Sequence, residues 1–326
     1  MAVERARSAW SMYDNLTCPY EWSKYSCVWR HLPTAEASHE FTHDHAVQIR
    51  AAASALASPL ASRTVLWLVG DSLMRQIFIA IACAAGARAI ARDTISWSKY
   101  WSCFGESRCI SKGPHSGFDI GSVFWRSGFE MHFLPLGGTP HHSEPGIIHR
   151  FLEETRDRTL GTPLVGSADA PTNRRASRRG DVIVLNCGIH KPSTKGVLEG
   201  VAELQSLLPR DGPRLLYLTT PTQHFNTSEG QYEENARAIG CVSDVPVNPR
   251  AELERAILRP ANVSLVEYDD LRLGRLHVGG RDCSHYCMPG KPDEVAARLV
   301  AAATGSDVPT KRGAARGSMD PPRVFI

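Results

Sequence analysis

Two short motifs near opposite ends of this 326-residue chain contain the residue types that nucleophilic acyl transfer requires. The first is Gly-Asp-Ser at residues 70–72, and the second is Asp-Cys-Ser-His at residues 282–285. A serine nucleophile needs a base, and the base needs an orienting carboxylate. His285 and Asp282, three positions apart, can supply both from one turn. An Asp-x-x-His spacing often occurs by chance. Whether these residues form a site depends on the strands and helices that present the two motifs.

The stretch that presents Ser72 has the pattern of a buried strand followed by a helix. Residues 64–69, TVLWLV, are apolar or β-branched and too few for a helix. Gly70 ends the strand, Asp71 and Ser72 are N-cap residue types, and a mostly buried helix is expected as far as Gly86. The N–H groups and the dipole of a helix N-terminus favour an oxyanion beside the serine. The alternative is that Ser72 only caps the helix.

Alternating strands and helices after residue 180 predict an α/β fold with a mainly parallel sheet and helices on both faces. We expect strands at residues 181–185, 214–219 and 263–268, and helices at residues 197–208, 232–239 and 292–303. Active sites of such sheets lie at the carboxyl ends of the strands. Ser72 and residues 186–188, 221–224 and 282–285 all follow predicted strands, so they should converge on one edge.

The sequence predicts one domain over residues 1–303 and a disordered tail over residues 304–326, which are rich in Lys, Arg, Gly and Pro. Residues 1–33 look like an irregular strap, and residues 87–180 look like a long insertion with a strand-like run at 122–136. Aromatic side chains of the insertion would form a substrate wall for sugar rings or a lid packed on the core. These residues are Trp97, Tyr100, Trp101 and Trp125.

Charge and cysteine content limit the class of protein. A net charge of +3 is a weak imbalance, so no nucleic-acid partner is suggested. No apolar run reaches the length of a membrane span, and residues 1–20 lack a signal-peptide core, so the chain is either cytosolic or separated from its targeting segment. Nine cysteines and sequons at Asn15, Asn226 and Asn262 favour the second alternative and disulfides.

Metal binding is the competing explanation for the cysteines and histidines. No two cysteines have Cys-x-x-Cys spacing, and Cys283 and Cys287 flank a histidine at a spacing that structural zinc sites seldom use. His39, His43 and His45 lie in a mildly helical segment with no other ligands to complete a site, so a solvated helix face is the preferred interpretation. We therefore expect neither a metal ion nor a bound cofactor.

Several segments together resemble one enzyme family. A Gly-Asp-Ser serine near the N-terminal end with Asp-x-x-His near the C-terminus resembles the SGNH, or GDSL, hydrolase superfamily. Within it, LVGDSLMRQ, DVIVLNCGIH, TPTQHF and above all DCSHYCMPGKPD look like the PC-esterase branch, and like the plant trichome-birefringence-like polysaccharide O-acetyltransferases in particular. CPYEWSKYSCVWRHLP is similar to that family's opening cysteine motif, so matching segments run over about residues 13–299.

The resemblance implies a three-layer, flavodoxin-like SGNH fold and a catalytic triad. Ser72 would be the nucleophile, His285 the general base and then acid, and Asp282 its orienting partner. The implied reaction moves an acetyl group from a donor to a sugar hydroxyl of a glycan through an acyl-enzyme. A carbohydrate esterase would use the same residues with water as acceptor, and a non-catalytic glycan-binding module would lack a triad member.

The resemblance also implies roles around the triad. The Ser72 N–H would contribute to the oxyanion hole, with Asn186 or Gly188 as a further donor. Arg75 would brace the first helix or the cleft. His224 would contact substrate or make a structural hydrogen bond.

Disulfides and location follow from the same family pattern. Cys18 would pair with Cys83, Cys27 with Cys287, and Cys241 with Cys283. Cys103 and Cys109 would close a local loop, and Cys187 would remain a buried thiol. The implied location is the secretory pathway, in the Golgi lumen, with membrane attachment only through an N-terminal anchor absent from this chain.

Overall fold

The computed structural model describes the regular core of the chain. The described residues are 54, 64–85, 96–98, 120–125, 128–135, 181–189, 195–208, 210, 212–232, 241–242, 245–268, 277–279, 282–288 and 290–305. Several predicted features lie outside these residues: the strap at 1–33, most of the helix at 232–239, the tail beyond 305, and Cys18, Cys27, Cys103, Cys109, Tyr100 and Trp101.

The strand and helix predicted on either side of the first motif, and the helix predicted after the second, are present. The strands are β1 Val65–Gly70, β2 Ser96–Ser98, β3 Ile120–Phe124, β4 Glu130–Pro135, β5 Val182–Leu185, β6 Arg214–Leu218, β7 Ser264–Val266, β8 His277–Gly279 and β9 Asp282–Tyr286. The helices are α1 Ser72–Ala85, α2 Lys195–Leu207, α3 Pro249–Leu258 and α4 Lys291–Thr304. No helix among these described residues is long and apolar enough to cross a membrane.

The central sheet is mainly parallel, which confirms the predicted α/β class. Its seven strands have the order β2-β3-β4-β1-β5-β6-β7. The five strands from β4 to β7 in that order are mutually parallel, whereas β2, β3 and β4 pair antiparallel. Counted along the chain, the parallel strands are therefore ordered 2-1-3-4-5. The order reverses at β1, and the carboxyl end of such a strand borders the crevice in which open α/β sheets bind ligands.

Part of the predicted insertion belongs to this sheet. The strand-like run at 122–136 is two strands, β3 and β4, joined by a turn in which Gly128 has φ of 91°. β4 pairs with β1 along all six residues of β1. Trp125 is 3% exposed, and its ring packs edge-on against Phe129 at 5.0 Å between ring centroids. The substrate-wall interpretation is therefore wrong for Trp125, because its ring is in the core.

Alternate residues of the strands divide the core into two clusters. Leu66 and Leu68 of β1 belong to a buried cluster that includes residues of α1 and α4. Trp67 and Val69 belong to a second cluster, with residues of α2 and α3. Successive side chains of a strand point to opposite faces, so a strand covered on both faces reads as an uninterrupted apolar run. This explains the composition of residues 64–69.

Helix α3 was not predicted, although its local signals are present. The Oδ1 atom of Asn248 accepts a hydrogen bond from the Ala251 N–H at 3.2 Å, and Pro249 is the first helical residue. Asparagine at the N-cap followed by proline is a typical helix start. The β8–β9 hairpin, which presents the second motif, was also not predicted.

Candidate active site

Asp71, not Ser72, caps helix α1. Its Oδ1 atom accepts the Leu73 N–H at 2.9 Å, and its carbonyl accepts the Arg75 N–H at 3.0 Å. Ser72 is the first residue of α1 and is half-buried. The alternative that Ser72 serves only as the cap is therefore wrong, because the carboxylate of the preceding residue performs that task.

Gly70 permits the tight passage from β1 into α1. A Cβ atom at this position would lie 2.6 Å from Cβ of Met74 and 3.1 Å from the carbonyl oxygen of Asn186. Only a residue without a side chain lets the end of β1 approach both the first turn of α1 and the end of β5. Ser72 is thereby held at the carboxyl edge of the sheet.

Ser72, His285 and Asp282 form a continuous hydrogen-bonded relay. Nε2 of His285 lies 2.9 Å from Oγ of Ser72, and Nδ1 lies 2.8 Å from Oδ2 of Asp282. The His285 side chain is 15% exposed. Both distances are within normal hydrogen-bond range, and the base is bonded to nucleophile and carboxylate through different ring nitrogens.

Asp282 is held as a carboxylate by donors from its own strand. Its Oδ1 atom accepts the backbone N–H groups of Ser284 at 3.0 Å and His285 at 2.9 Å. Burial by itself would raise the pKa of Asp282, but the hydrogen bond and charge of the His285 ring and the two N–H donors lower it well below the ordinary value. An ionised Asp282 keeps the ring proton on Nδ1, which leaves the lone pair of Nε2 facing the Ser72 hydroxyl.

A disulfide fixes the strand that carries the base. Cys241 and Cys283 are bonded with a Cα–Cα distance of 5.4 Å, which confirms that predicted pair. Cys83 and Cys287 are also in disulfides. Their predicted partners, Cys18 and Cys27, lie outside the described residues, so these pairings stay predictions.

The thiol of Cys187 is only partly buried. It packs against the cluster formed with α2 and α3. The prediction of a thiol at this position is confirmed, but the predicted burial is only partial, because the residue lies in the loop after β5, at the edge of the sheet.

The loop after β5 is bonded directly to the start of α1. Oδ2 of Asp71 accepts the Ile189 N–H at 2.8 Å. Gly188 has φ of +77°, and a Cβ there would lie 2.3 Å from Oδ2 of Asp71. A glycine is therefore required for this loop to lie against the Asp71 carboxylate.

The two predicted additional oxyanion donors already have acceptors within the protein. The Gly188 N–H donates to Oδ1 of Asn186 at 2.9 Å. Nδ2 of Asn186 donates to the Leu218 carbonyl at 2.8 Å and reaches Oγ1 of Thr220 at 3.4 Å. Asn186 is 1% exposed. In this conformation, either group would have to exchange a hydrogen bond to donate to an oxyanion, so its predicted role stays a prediction.

Arg250 is a site residue that the sequence analysis missed. From α3, its Nη1 atom donates to the carbonyls of Ile189 at 2.9 Å and Gly188 at 3.4 Å. Burial lowers the pKa of Arg250, and the carboxylates of Glu254 and Asp71 oppose that effect. Recognition of α3 from Asn-Pro would have placed an arginine on its first turn near this edge.

His224 does not face a substrate. It is 0% exposed, and its Nδ1 atom lies 3.3 Å from the Val242 carbonyl. Its backbone N–H donates to the Cys283 carbonyl at 3.0 Å. The substrate-contact alternative is wrong because the ring is fully buried, with its centroid 5.0 Å from that of the His277 ring, and the structural alternative describes it.

Arg75 lies one turn beyond Asp71 on α1 and is half-buried. This position is compatible with bracing the helix, and the role stays a prediction. Within the described residues, no group of three or more His, Cys, Asp or Glu side chains could hold a metal ion.

Comparison of the sequence with protein-family models finds no match, and comparison with curated proteins finds no significant one. The chemistry of the site therefore has to be argued from the residues and their geometry. A serine at a helix N-terminus, bonded to a histidine that is bonded to an ionised aspartate, can act as a nucleophile toward an acyl carbon.

Proposed function

We propose that this protein is a serine-dependent O-acyltransferase that moves an acetyl group to a sugar hydroxyl of a glycan. The observation that carries the proposal is the relay from Ser72 through His285 to Asp282, with heavy-atom distances of 2.9 and 2.8 Å. Such a relay has the geometry that serine nucleophiles require, and Ser72 is accessible at the crevice edge of the sheet.

The reaction would proceed in two displacements. Oγ of Ser72 attacks the carbonyl carbon of the acetyl donor while Nε2 of His285 takes the hydroxyl proton. The tetrahedral intermediate expels the donor's leaving group, which receives that proton, and an acetyl-Ser72 ester remains. His285 then deprotonates a sugar hydroxyl, whose oxygen attacks the ester carbonyl, and Ser72 recovers its proton as the acetylated sugar leaves. Asp282 stabilises the imidazolium in both halves.

The positive end of α1 is suited to the developing oxyanion. The backbone N–H of Ser72 belongs to the first turn of the helix, where amide groups have no acceptor within the helix. We assign Ser72 N–H as the first oxyanion donor, with Asn186 or Gly188 as the candidate second donor after local rearrangement.

Membership of the SGNH superfamily, near the trichome-birefringence-like O-acetyltransferases, is part of the proposal. It is supported by the motifs at residues 70–72 and 282–285. The 2-1-3-4-5 order of the parallel strands is the flavodoxin-like order, and the two core clusters are compatible with a three-layer SGNH fold. We extend the catalytic domain over residues 1–303.

An oxidising compartment suits the observed chemistry of the cysteines. The Cys241–Cys283 disulfide is of a kind that is rare in the cytosol, and the sequon residues Asn226 and Asn262 are both exposed. We therefore place the protein in the Golgi lumen, with a glycan as acceptor and an acetyl donor as co-substrate rather than a bound cofactor.

One assay separates transfer from the alternatives. Purified protein is incubated with p-nitrophenyl acetate, with and without a panel of neutral oligosaccharides, and acetate and acetylated sugar are quantified by mass spectrometry. The acyltransferase proposal predicts sugar-dependent p-nitrophenol release and an acetylated oligosaccharide. Release of acetate alone, unchanged by any sugar, would identify an esterase. Sugar binding with no Ser72-dependent release would identify a binding module.

A further inference from the structure

Two consecutive carbonyl groups of β9, one of which belongs to the base, accept hydrogen bonds from side chains on other elements. Nδ1 of His277, on β8, lies 2.9 Å from the carbonyl oxygen of His285. Nε2 of Gln76, on α1, donates to the carbonyl of Tyr286. Gln76 is 0% exposed and His277 is 5% exposed, so water does not compete for either contact.

Gln76 lies four residues after Ser72, and residues so spaced are on the same face of a helix. Helix α1 thus reaches β9 through two hydrogen bonds one turn apart: Ser72 to the ring of His285, and Gln76 to the main chain of Tyr286. The second bond does not involve the reacting atoms, so it persists while Ser72 and His285 exchange a proton.

The hydrogen bonds of Asp282 cannot fix the position of β9 relative to α1. Its three contacts run to Ser284 and His285, which are on the same strand, so they move with β9. They set the orientation of the ring within β9 but not the position of β9 relative to α1. The distance from Nε2 to Oγ depends on that position, and the bond from Gln76 to the Tyr286 carbonyl joins α1 to β9 without involving the reacting atoms.

The side chain of Gln76 has two opposing effects on the stability of the folded protein. Its Oε1 atom is buried with no hydrogen-bond partner among the described residues. An unsatisfied buried acceptor is destabilising, whereas the hydrogen bond from Nε2 satisfies the Tyr286 carbonyl. These two effects oppose each other, so the net contribution of Gln76 to stability is small.

His277 supports β9 from the other side. Its ring packs on the ring of Tyr286 with centroids 4.4 Å apart, and Tyr286 donates its hydroxyl proton to the Thr222 carbonyl at 2.8 Å. Burial, with the nearby His224 ring as a second cause, lowers the pKa of His277 to about 3. The neutral ring therefore carries its proton on Nδ1, where it donates to the His285 carbonyl.

We propose that Gln76 and His277 are positioning residues that clamp the main chain of β9 and so set the distance between His285 and Ser72. This inference rests on the proposed function, because it assigns both residues to the Ser72–His285 contact. Misplacement of a base by about an ångström can cost on the order of 100-fold in rate. Loss of either donor is therefore expected to slow the attack by Ser72 without unfolding the protein.

The test for Gln76 is the substitution Gln76→Met in the full chain. Excess fluorophosphonate labels Ser72, the first-order rate constant reports the geometry of the site, and the final labelled fraction reports how much protein is folded. We expect a rate constant about 10- to 100-fold lower, with a complete labelled fraction and a Tm close to that of the parent, because methionine removes the unpaired Oε1 atom and the donor to the Tyr286 carbonyl together. Gln205→Met, on the partly exposed surface of α2, is the matched control and should label at the parent rate.

His277 is tested with a pair of substitutions. His277→Leu removes the donor and should lower the labelling rate constant and kcat together, by about 10-fold or more, with KM nearly unchanged. His277→Asn places an amide N–H near the former Nδ1 and should restore both to within about threefold of the parent. A purely structural residue would alter Tm and labelled fraction but leave the rate constant of the folded molecules unchanged.

The outcomes distinguish failure of the clamp from failure of the proposed function. If the parent is not labelled at Ser72, the nucleophile assignment fails and the clamp fails with it. If the parent is labelled and Gln76→Met reacts within twofold of its rate, the clamp alone is overturned. The same conclusion follows if His277→Asn is as slow as His277→Leu, because the loss of the hydrogen-bond donor to the His285 carbonyl then does not explain the slower reaction.

Discussion

The hydroxyl of Ser72 lies 2.9 Å from Nε2 of His285, although 213 positions separate the two residues in the chain. Ser72 is delivered by the turn from β1 to α1, and His285 by a hairpin that stands outside the central sheet. Two elements from opposite ends of the chain therefore supply the two halves of one proton-transfer pair. Any change that moves one element relative to the other should affect this distance first.

Ser72→Ala should abolish turnover and fluorophosphonate labelling while leaving the fold intact. Asp71 caps α1, so the substitution removes only the hydrogen bond to His285, at a cost of about 1 kcal/mol or less in the free energy of unfolding. Circular dichroism and thermal melting check the fold. Stoichiometric labelling of the alanine variant would show that another residue is the nucleophile.

Asp282→Asn should lower kcat by about 10⁴-fold with little change in KM. The amide oxygen can still accept the N–H groups of Ser284 and His285, so β9 should keep its shape. The amide NH₂ would instead donate to Nδ1 of His285, which moves the ring proton to Nε2 and removes the base. Steady-state kinetics on an acetyl ester measure kcat and KM. A kcat within a few-fold of the parent would exclude Asp282 as the orienting carboxylate.

Gly188→Ala should destabilise the protein and slow catalysis together. The residue has φ of +77°, and a Cβ would lie 2.3 Å from Oδ2 of Asp71, so the loop after β5 must separate from α1. We expect a loss of about 1 to 3 kcal/mol in the free energy of unfolding. The control is Gly196→Ala, on an open face of α2, which should be neutral or stabilising by about 0.4 to 1 kcal/mol. Equal stabilities of the two variants in chemical denaturation would refute the prediction.

Replacing Cys241 and Cys283 together by serine should lower the free energy of unfolding by about 3 to 4 kcal/mol, because the bridge closes a loop with a sequence separation of 42. Activity should fall as well, since Cys283 lies between Asp282 and His285. Chemical denaturation measures the first effect. Peptide mapping of the non-reduced parent must recover the linked cysteines, and nine reduced thiols would contradict both the bridge and the proposed compartment.

Stability should decrease on acidification because of His277. In the unfolded chain this imidazole titrates near its ordinary pKa of 6.5, whereas burial lowers the pKa in the folded protein to about 3. Between those values only the unfolded chain binds the proton, so unfolding becomes easier as pH falls, by about 1.4 kcal/mol per pH unit. His277→Asn has no imidazole at this position, so the stability difference between the parent and this variant should shrink with that slope as the pH falls. Parallel denaturation curves for the two proteins from pH 7 to pH 5 would contradict the burial argument.

Local patterns in the sequence were sufficient to predict the strand and the helix that present Ser72. Six apolar residues before Gly70 predict a strand, and the mostly apolar residues after Ser72 predict a helix, so β1 and α1 were expected within one residue of their observed limits. The bond between Asp282 and His285 was expected for the same reason, because it joins residues three positions apart. The start of α3 at Asn248 was equally local and could have been read from the sequence.

Placement within the sheet could not be read from local pattern. The run at 122–136 was assigned to an insertion, yet β4 lies beside β1 in the middle of the sheet, because pairing depends on a distant strand. The burial of Trp125 and His224 follows from the same packing. A histidine or tryptophan has the same local sequence whether its ring faces a cleft or a core.

The amino-acid sequence by itself determined which residues could react: a serine at a strand-to-helix turn and an Asp-x-x-His pair able to hold a polarised imidazole. Tertiary structure alone decided that β9 lies against α1, that Gln76 and His277 hold the carbonyls of β9, and that Asp71 joins α1 to the loop after β5. These contacts join residues far apart in the chain. Their formation depends on the order of the strands and on the packing of helices against the sheet, which no local run of residues specifies.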